Sequence, residues 1–122
     1  MATILIADDS PTALAMLKRE LAPLGHEIRE ARDGDEVQSA LDEVTPDLLI
    51  LDIIMPKVNG FQLCRAIRAD PSRRSLPIIV VTAMERQSDR YWGLKQGADE
   101  FFVKPVDGDV LRDKVRSLLA SR

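Results

Sequence analysis

The segment that most constrains the fold is a short apolar run in the middle of the chain that ends at a single carboxylate. Residues 48–51, Leu-Leu-Ile-Leu, are apolar on both faces of a strand, and Asp52 follows directly. Such a strand is typical of a parallel sheet that helices cover on both sides. Turn-forming pairs at residues 55–56 and 59–60 come next. Asp52 is therefore predicted at the carboxyl end of a buried strand, where open α/β sheets bind their ligands.

Four other runs complete the predicted sheet. Residues 4–7 and 78–81 are also apolar on both faces, whereas residues 27–31 and 100–103 are mixed. Helical periodicity separates all the runs, which predicts an α/β fold: one doubly wound (βα)5 domain with a five-stranded parallel sheet. Because a mixed strand suits an edge, where less surface is buried, the predicted strand order is 2-1-3-4-5, the flavodoxin-like order.

The predicted helices have recognisable boundaries. Ser10 is an N-cap residue followed by a proline in the first turn, and Asp33 is a second N-cap. Leucines at helical spacing follow Ser10, and Gly25 is predicted to end that helix. The remaining helices are expected to begin near residues 60, 86 and 107.

The fourth predicted helix has two unusual features. Gly93 is less favourable than alanine in a helix interior by about 1 kcal/mol, which indicates either close packing against the sheet or a marginal helix. Tyr91 and Trp92 are adjacent, so they cannot both face the sheet. One of them is predicted to be exposed as part of a partner surface.

Composition and length exclude several classes of protein. The chain has 122 residues, 45% of them hydrophobic, which suffices for one core, so we expect one domain over residues 1–122 with no output domain. A net charge of −3 without a basic run predicts no nucleic-acid binding. No signal peptide or membrane span is visible, so we expect a cytoplasmic protein. Cys64 is the only cysteine, which excludes an internal disulfide.

Polar side chains occur where four of the predicted strands end. Asp8 and Asp9 follow the first strand, Asp52 the third, Thr82 ends the fourth and Lys104 follows the fifth. The carboxylates should converge and repel each other, which raises carboxyl pKa values in general. Mg²⁺ prefers such oxygen ligands and would relieve the repulsion. A carboxylate, a cation, a hydroxyl and a lysine suit phosphoryl transfer, with Asp52 as the nucleophile that forms an acyl phosphate.

These residues resemble the receiver domain of two-component response regulators, and the resemblance covers the whole chain. It implies that Asp52 is the phosphoacceptor, supplied by a histidine kinase or a histidine phosphotransfer protein. The motifs that carry it are Asp8-Asp9, Asp52 with Met55-Pro56 and Asn59-Gly60 after it, Thr82-Ala83 and Lys104-Pro105.

The resemblance also implies a Mg²⁺ site. The expected ligands are Asp9, Asp8 directly or through water, Asp52 and the backbone carbonyl of Ile54. Ile54 has an apolar side chain, and some relatives have a polar one at this position that can orient the attacking water. We therefore expect Ile54 to affect the rate of dephosphorylation.

The remaining expectations concern signal transmission. Thr82 should bond a phosphoryl oxygen after transfer, and Lys104 should pair with the phosphate. Phe101 occupies the position of a switch aromatic, which we expect to turn inward on phosphorylation, and the bond before Pro105 should be cis. A downstream protein is expected to bind the face made by the fourth helix, fifth strand and fifth helix of a monomer or weak dimer.

Three alternatives stay open. A haloacid-dehalogenase-type phosphatase uses similar residues but needs a second Asp two positions after the nucleophile, where this chain has Ile54. A flavodoxin-like cofactor binder needs a phosphate-binding loop after the first strand, where Asp8 and Asp9 would repel phosphate. A receiver fold can also act as an interaction module without phosphorylation. Among receivers, residues 91–98 and 104–106 are more similar to pilus-motility regulators than to chemotaxis regulators.

Overall fold

A computed structural model describes residues 1–84 and 86–121, and these residues form a parallel sheet with helices on both faces. The strands are β1 Thr3–Ala7, β2 Glu27–Ala31, β3 Leu48–Leu51, β4 Ile78–Thr82 and β5 Glu100–Val103. The helices are α1 Pro11–Leu21, α2 Gly34–Glu43, α3 Gly60–Ala69, α4 Gln87–Lys95 and α5 Gly108–Ala120. The order β2-β1-β3-β4-β5, with parallel pairing throughout, confirms the predicted fold.

The three central strands are the ones that are apolar on both faces. Alternate side chains of β1, β3 and β4 point to opposite sides, so each strand contributes to two cores. One core lies under α2 and α3 and includes Phe101; the other lies under α1 and α5. Burying one Leu or Ile side chain contributes about 1.5–3 kcal/mol, so these strands are held in the middle of the sheet.

The predicted helix caps are largely confirmed. The side chains of Ser10 and Asp33 accept hydrogen bonds from Ala13 N–H and Glu36 N–H. The first helix is shorter than predicted: α1 ends at Leu21, and a 3₁₀ turn, Ala22–Leu24, leads to Gly25 with φ +74°. No helix among the described residues combines the length and hydrophobicity needed to cross a membrane.

The turn-forming pairs after β3 belong to a small antiparallel hairpin that we did not predict. Ile54 pairs with Asn59 and Met55 with Val58; this segment, residues 54–59, is called the β3–α3 hairpin below. Lys57 lies in its turn in a left-handed conformation with φ +66°. Asn59 also caps α3, because its side chain accepts a hydrogen bond from Phe61 N–H.

Phe101 of β5 and Gly93 of α4 approach each other closely. Phe101 is fully buried, and a Cβ atom on Gly93 would lie 2.7 Å from its Cδ2. Arg90 strengthens this contact by donating to the Phe101 carbonyl oxygen at 2.9 Å. Of the two explanations for Gly93, close packing is therefore the one that the structure supports. Both Tyr91 and Trp92 are exposed, rather than one of them.

The ring of Phe101 points into the core. The ring is fully buried in this structure, and its expected inward turn on phosphorylation stays a prediction. Gly93 has no side chain to occupy the position of the ring.

Replacing Gly93 with alanine is expected to lower the free energy of unfolding by about 1–3 kcal/mol, because the added methyl group overlaps the Phe101 ring. Helix propensity alone would change it by about 1 kcal/mol in the opposite direction. Urea unfolding followed by circular dichroism measures the net effect. Ser39→Ala, at an exposed position inside α2, is the control for propensity. A Gly93→Ala protein more stable than the wild type would contradict the close-packing explanation.

Candidate functional site

Asp8, Asp9 and Asp52 meet at the carboxyl edge of the sheet, as predicted. β1 and β3 are neighbours, and the backbone pairing continues past their ends, because Asp52 N–H donates to the Ala7 carbonyl oxygen at 2.9 Å. Carboxylate oxygens of these three residues lie within 4.8 Å of one another. Asp8 and Asp52 are buried and Asp9 is exposed. The cluster is therefore open to solvent on the side of Asp9.

Lys104 joins the two buried carboxylates. Its Nζ donates to Asp8 Oδ2 at 2.7 Å and to Asp52 Oδ2 at 2.9 Å. Its backbone N–H donates to the Thr82 carbonyl oxygen at 2.8 Å, which continues the pairing of β5 with β4. The residue after edge strand β5 thus places an ammonium group beside the ends of the central strands β1 and β3. From the sequence we assigned Lys104 to a phosphate, and did not foresee that it would bridge Asp8 and Asp52.

Backbone amides satisfy the other oxygen of each buried carboxylate. Asp8 Oδ1 accepts from Ser10 N–H at 2.9 Å, and Asp52 Oδ1 accepts from Ile54 N–H at 2.9 Å. Ser10 was predicted only as a helix cap, although its position directly after Asp8 and Asp9 was a signal for this second contact. The two carboxylates are held from both sides, which fixes their orientation.

Burial, hydrogen bonds and charge shift the pKa values of Asp8 and Lys104. Burial raises the pKa of the Asp8 carboxyl above its usual value, hydrogen bonds from Lys104 and Ser10 N–H oppose the rise, and the charge of Asp52 adds to it to a smaller extent. Burial tends to lower the pKa of Lys104, but the hydrogen bonds to Asp8 and Asp52 outweigh burial and raise it. The sequence suggested repulsion as the main cause of a raised carboxyl pKa, whereas for Asp8 burial is the larger cause.

The other predicted site residues surround the cluster. Thr82 is the last residue of β4 and is fully buried, and its Oγ1 accepts from Met84 N–H at 3.5 Å. The Lys104–Pro105 bond is cis, as expected. Ile54 contributes its backbone to the cluster, while its side chain is 55% exposed.

The doubly wound sheet with these residues at its carboxyl edge defines a two-component signalling protein. The sequence model of the response regulator receiver domain matches residues 4–116, and the chain belongs to this family. The fold, the family and the expected signalling role are thereby confirmed, and the alternatives of a phosphatase and of a flavodoxin-like cofactor binder are not favoured.

Similar proteins include both short and long regulators. The chain is 38% identical to the protein PilH of Pseudomonas aeruginosa over 98% of its own length and 99% of that protein. It is 36% identical to the response regulator PleD of Caulobacter vibrioides, of which it spans only 26%. The similarity to PilH agrees with the resemblance seen at residues 91–98.

Solved structures show the same fold. The signal receiver domain of a signal transduction histidine kinase from Syntrophus aciditrophicus has a TM-score of 0.91 at 36% identity, covering 99% of this chain and 92% of that one. The chemotaxis response regulator CheY4 of Vibrio cholerae has a TM-score of 0.87 at 28% identity, covering 97% and 98%. The family therefore contains domains of several kinds of signalling protein.

Replacing Lys104 with methionine is expected to lower the free energy of unfolding of the metal-free protein by about 1–2 kcal/mol. The variant leaves the buried Asp8 and Asp52 carboxylates without their shared cation, and partial exposure of Lys104 limits the loss. Urea unfolding at pH 7 in the presence of EDTA measures the effect.

Lys57→Met is the matched control for this variant. Lys57 also pairs with two carboxylates, Asp33 and Asp35, but the lysine is exposed, so its removal should change stability little. If both variants lose the same free energy of unfolding, burial does not make the Lys104 ion pairs more stabilising than the exposed pairs of Lys57.

Proposed function

We propose that the protein accepts a phosphoryl group on Asp52 from the phosphohistidine of a histidine kinase or a histidine phosphotransfer protein. In this step an Asp52 oxygen forms a bond to phosphorus as the P–N bond breaks, and the imidazole takes up a proton. The observation that carries the proposal is the position of the Asp52 carboxylate, which a lysine and a backbone amide orient beside the Asp8 and Asp9 carboxylates.

The oxygen donors at this edge fit Mg²⁺, a hard cation that prefers carboxylate and carbonyl oxygens. We propose Asp8, Asp9, Asp52 and the Ile54 carbonyl as its protein ligands. When bound, the ion neutralises negative charge on the carboxylates and on the phosphoryl oxygens. The exposure of Asp9 leaves a side of the cluster where a hydrated ion and a phosphodonor can approach.

Lys104 and Thr82 are proposed to stabilise the acyl phosphate. Lys104 already contacts Asp52 Oδ2, so a small movement of its ammonium group brings it to a phosphoryl oxygen. A hydroxyl can donate one hydrogen bond while it accepts another, so Thr82 can donate to the phosphoryl group and keep its contact with Met84 N–H. Such preorganised donors contribute most to phosphoryl transfer.

We propose that the signal reaches a downstream protein through the face made by α4, β5 and α5. Tyr91 and Trp92 of α4, Val103 of β5 and Val110 of α5 are exposed there. The change that we propose on phosphorylation is a shift of α4 on β5, transmitted through the close approach of Gly93 to the Phe101 ring. The cytoplasmic location and the monomer-or-weak-dimer state stay predictions.

Incubation with acetyl phosphate and Mg²⁺ is expected to add one phosphate to the wild-type protein, measured as intact mass. Asp52→Asn should add none, and EDTA should prevent the addition to the wild type. Asp47→Asn is the matched control, because Asp47 is an acidic residue before β3 rather than after it. If phosphoramidate and acetyl phosphate both leave the wild type unmodified, or if Asp52→Asn is modified equally, the proposed site is wrong.

Replacing Asp9 with asparagine is expected to weaken Mg²⁺ binding by at least about tenfold while thermal stability stays close to that of the wild type. Asp9 is exposed, so its charge contributes to ion binding more than to folding. Calorimetric titration with Mg²⁺ and a thermal melt of the metal-free protein measure the two quantities. Asp113→Asn, an exposed carboxylate paired with Arg116 on α5, is the control. Unchanged Mg²⁺ affinity in Asp9→Asn would remove Asp9 from the ligand set.

A further inference from the structure

The β3–α3 hairpin packs against the first turn of α2. Gly34 N–H donates to the Pro56 carbonyl oxygen at 3.1 Å, which links the first residue of α2 to the hairpin turn. Lys57 Nζ lies 3.7 Å from Asp33 Oδ2 and 3.4 Å from Asp35 Oδ2, so charge pairs flank the hydrogen bond. The two segments are more than 20 positions apart in sequence, and neither contact was foreseen.

Only a glycine fits at position 34 of this contact. A Cβ atom there would lie 2.6 Å from Val58 Cβ and 2.8 Å from the Lys57 carbonyl oxygen. The backbone fixes the position of Val58 Cβ, and the Lys57 carbonyl is itself part of the backbone, so neither atom can move without the hairpin. Any larger residue must therefore displace the hairpin from α2 or distort the start of the helix.

The hairpin carries backbone groups of the acidic cluster. Its first residue, Ile54, donates its N–H to Asp52 Oδ1 at 2.9 Å. Its carbonyl oxygen is the backbone ligand proposed above for Mg²⁺. A displacement of the hairpin therefore changes the orientation of the Asp52 carboxylate and the place of a metal ligand together.

We propose that Gly34 is a positioning residue for the acidic site: its lack of a side chain lets α2 hold the β3–α3 hairpin where Ile54 meets Asp52. Gly34 itself touches none of the reacting groups and acts through the hairpin. The effect on Mg²⁺ rests on the proposed function, whereas the effect on the Ile54–Asp52 hydrogen bond does not.

Gly108 offers a matched comparison within the same chain. Both glycines are the first residue of a helix and follow an aspartate N-cap, Asp33 for α2 and Asp107 for α5. A Cβ atom on Gly108 would meet the carboxylate of Glu20, the far end of a flexible side chain that can move away. An alanine at position 108 therefore tests the general effect of such a substitution without touching the hairpin.

The experiment compares Gly34→Ala and Gly108→Ala by amide hydrogen exchange of the metal-free, unphosphorylated proteins. Exchange of the Ile54 amide should become about tenfold faster in Gly34→Ala, while the Leu49 amide, in the central strand β3, reports global opening. Mg²⁺ titration of the same variant should show about tenfold weaker binding. Gly108→Ala should match the wild type in the Ile54-to-Leu49 exchange ratio and in Mg²⁺ affinity.

Val58→Ala is the second variant, because it loosens the packing of the hairpin without adding bulk and keeps the proposal testable if Gly34→Ala does not fold. It should also raise the Ile54 exchange rate relative to that of Leu49. A folded Gly34→Ala protein with wild-type Ile54 exchange would overturn the proposal, and so would wild-type exchange in Val58→Ala if Gly34→Ala is unfolded. Absence of Mg²⁺ binding by the wild type would instead count against the proposed function, because the exchange measurement contains no metal.

Discussion

The shared hydrogen bonds of one lysine to two buried carboxylates are the interaction on which the functional edge depends. A buried carboxylate without a partner is destabilising, and Lys104 stabilises Asp8 and Asp52 at the ends of adjacent central strands because it reaches both. The lysine in turn reaches them because β5 ends beside Thr82 at the same edge of the sheet. The charge balance of the site therefore depends on the strand order of the sheet.

The apolar strands form the core of the protein, and the polar residues at their carboxyl ends form the site. Side chains on both faces of β1, β3 and β4 are buried, so the polar groups of the site lie after the strands or, for Thr82, at the last residue of β4. Backbone amides of the following turns, Ser10 N–H and Ile54 N–H, then complete the hydrogen bonding of the carboxylates. The sheet is thus a rigid scaffold, and most residues of the site lie in the first few positions of the loops that follow its strands.

Much of this arrangement is readable from the sequence, because it depends on local patterns. Apolar runs on both faces predict the central strands, and the residues that directly follow them predict the site. What escaped prediction depends on contacts between distant segments. Lys104 bridges residues 52 and 96 positions away, and Gly34 meets a hairpin more than 20 residues later. Local sequence patterns do not predict contacts between residues so far apart in the chain.

The contact between Gly93 and Phe101 also sets how firmly α4 is attached. Within residues 87–95, all of which the structure describes, Gly93 is the buried residue, and a glycine contributes no apolar side chain of its own. The helix contacts β5 through the Phe101 ring and through the hydrogen bonds of Arg90. By comparison, α1 buries Leu14, Leu17 and Leu21. Because α4 buries less apolar side-chain surface than α1, we expect α4 to open locally at a lower free energy than α1, and a bound partner to change its position more readily.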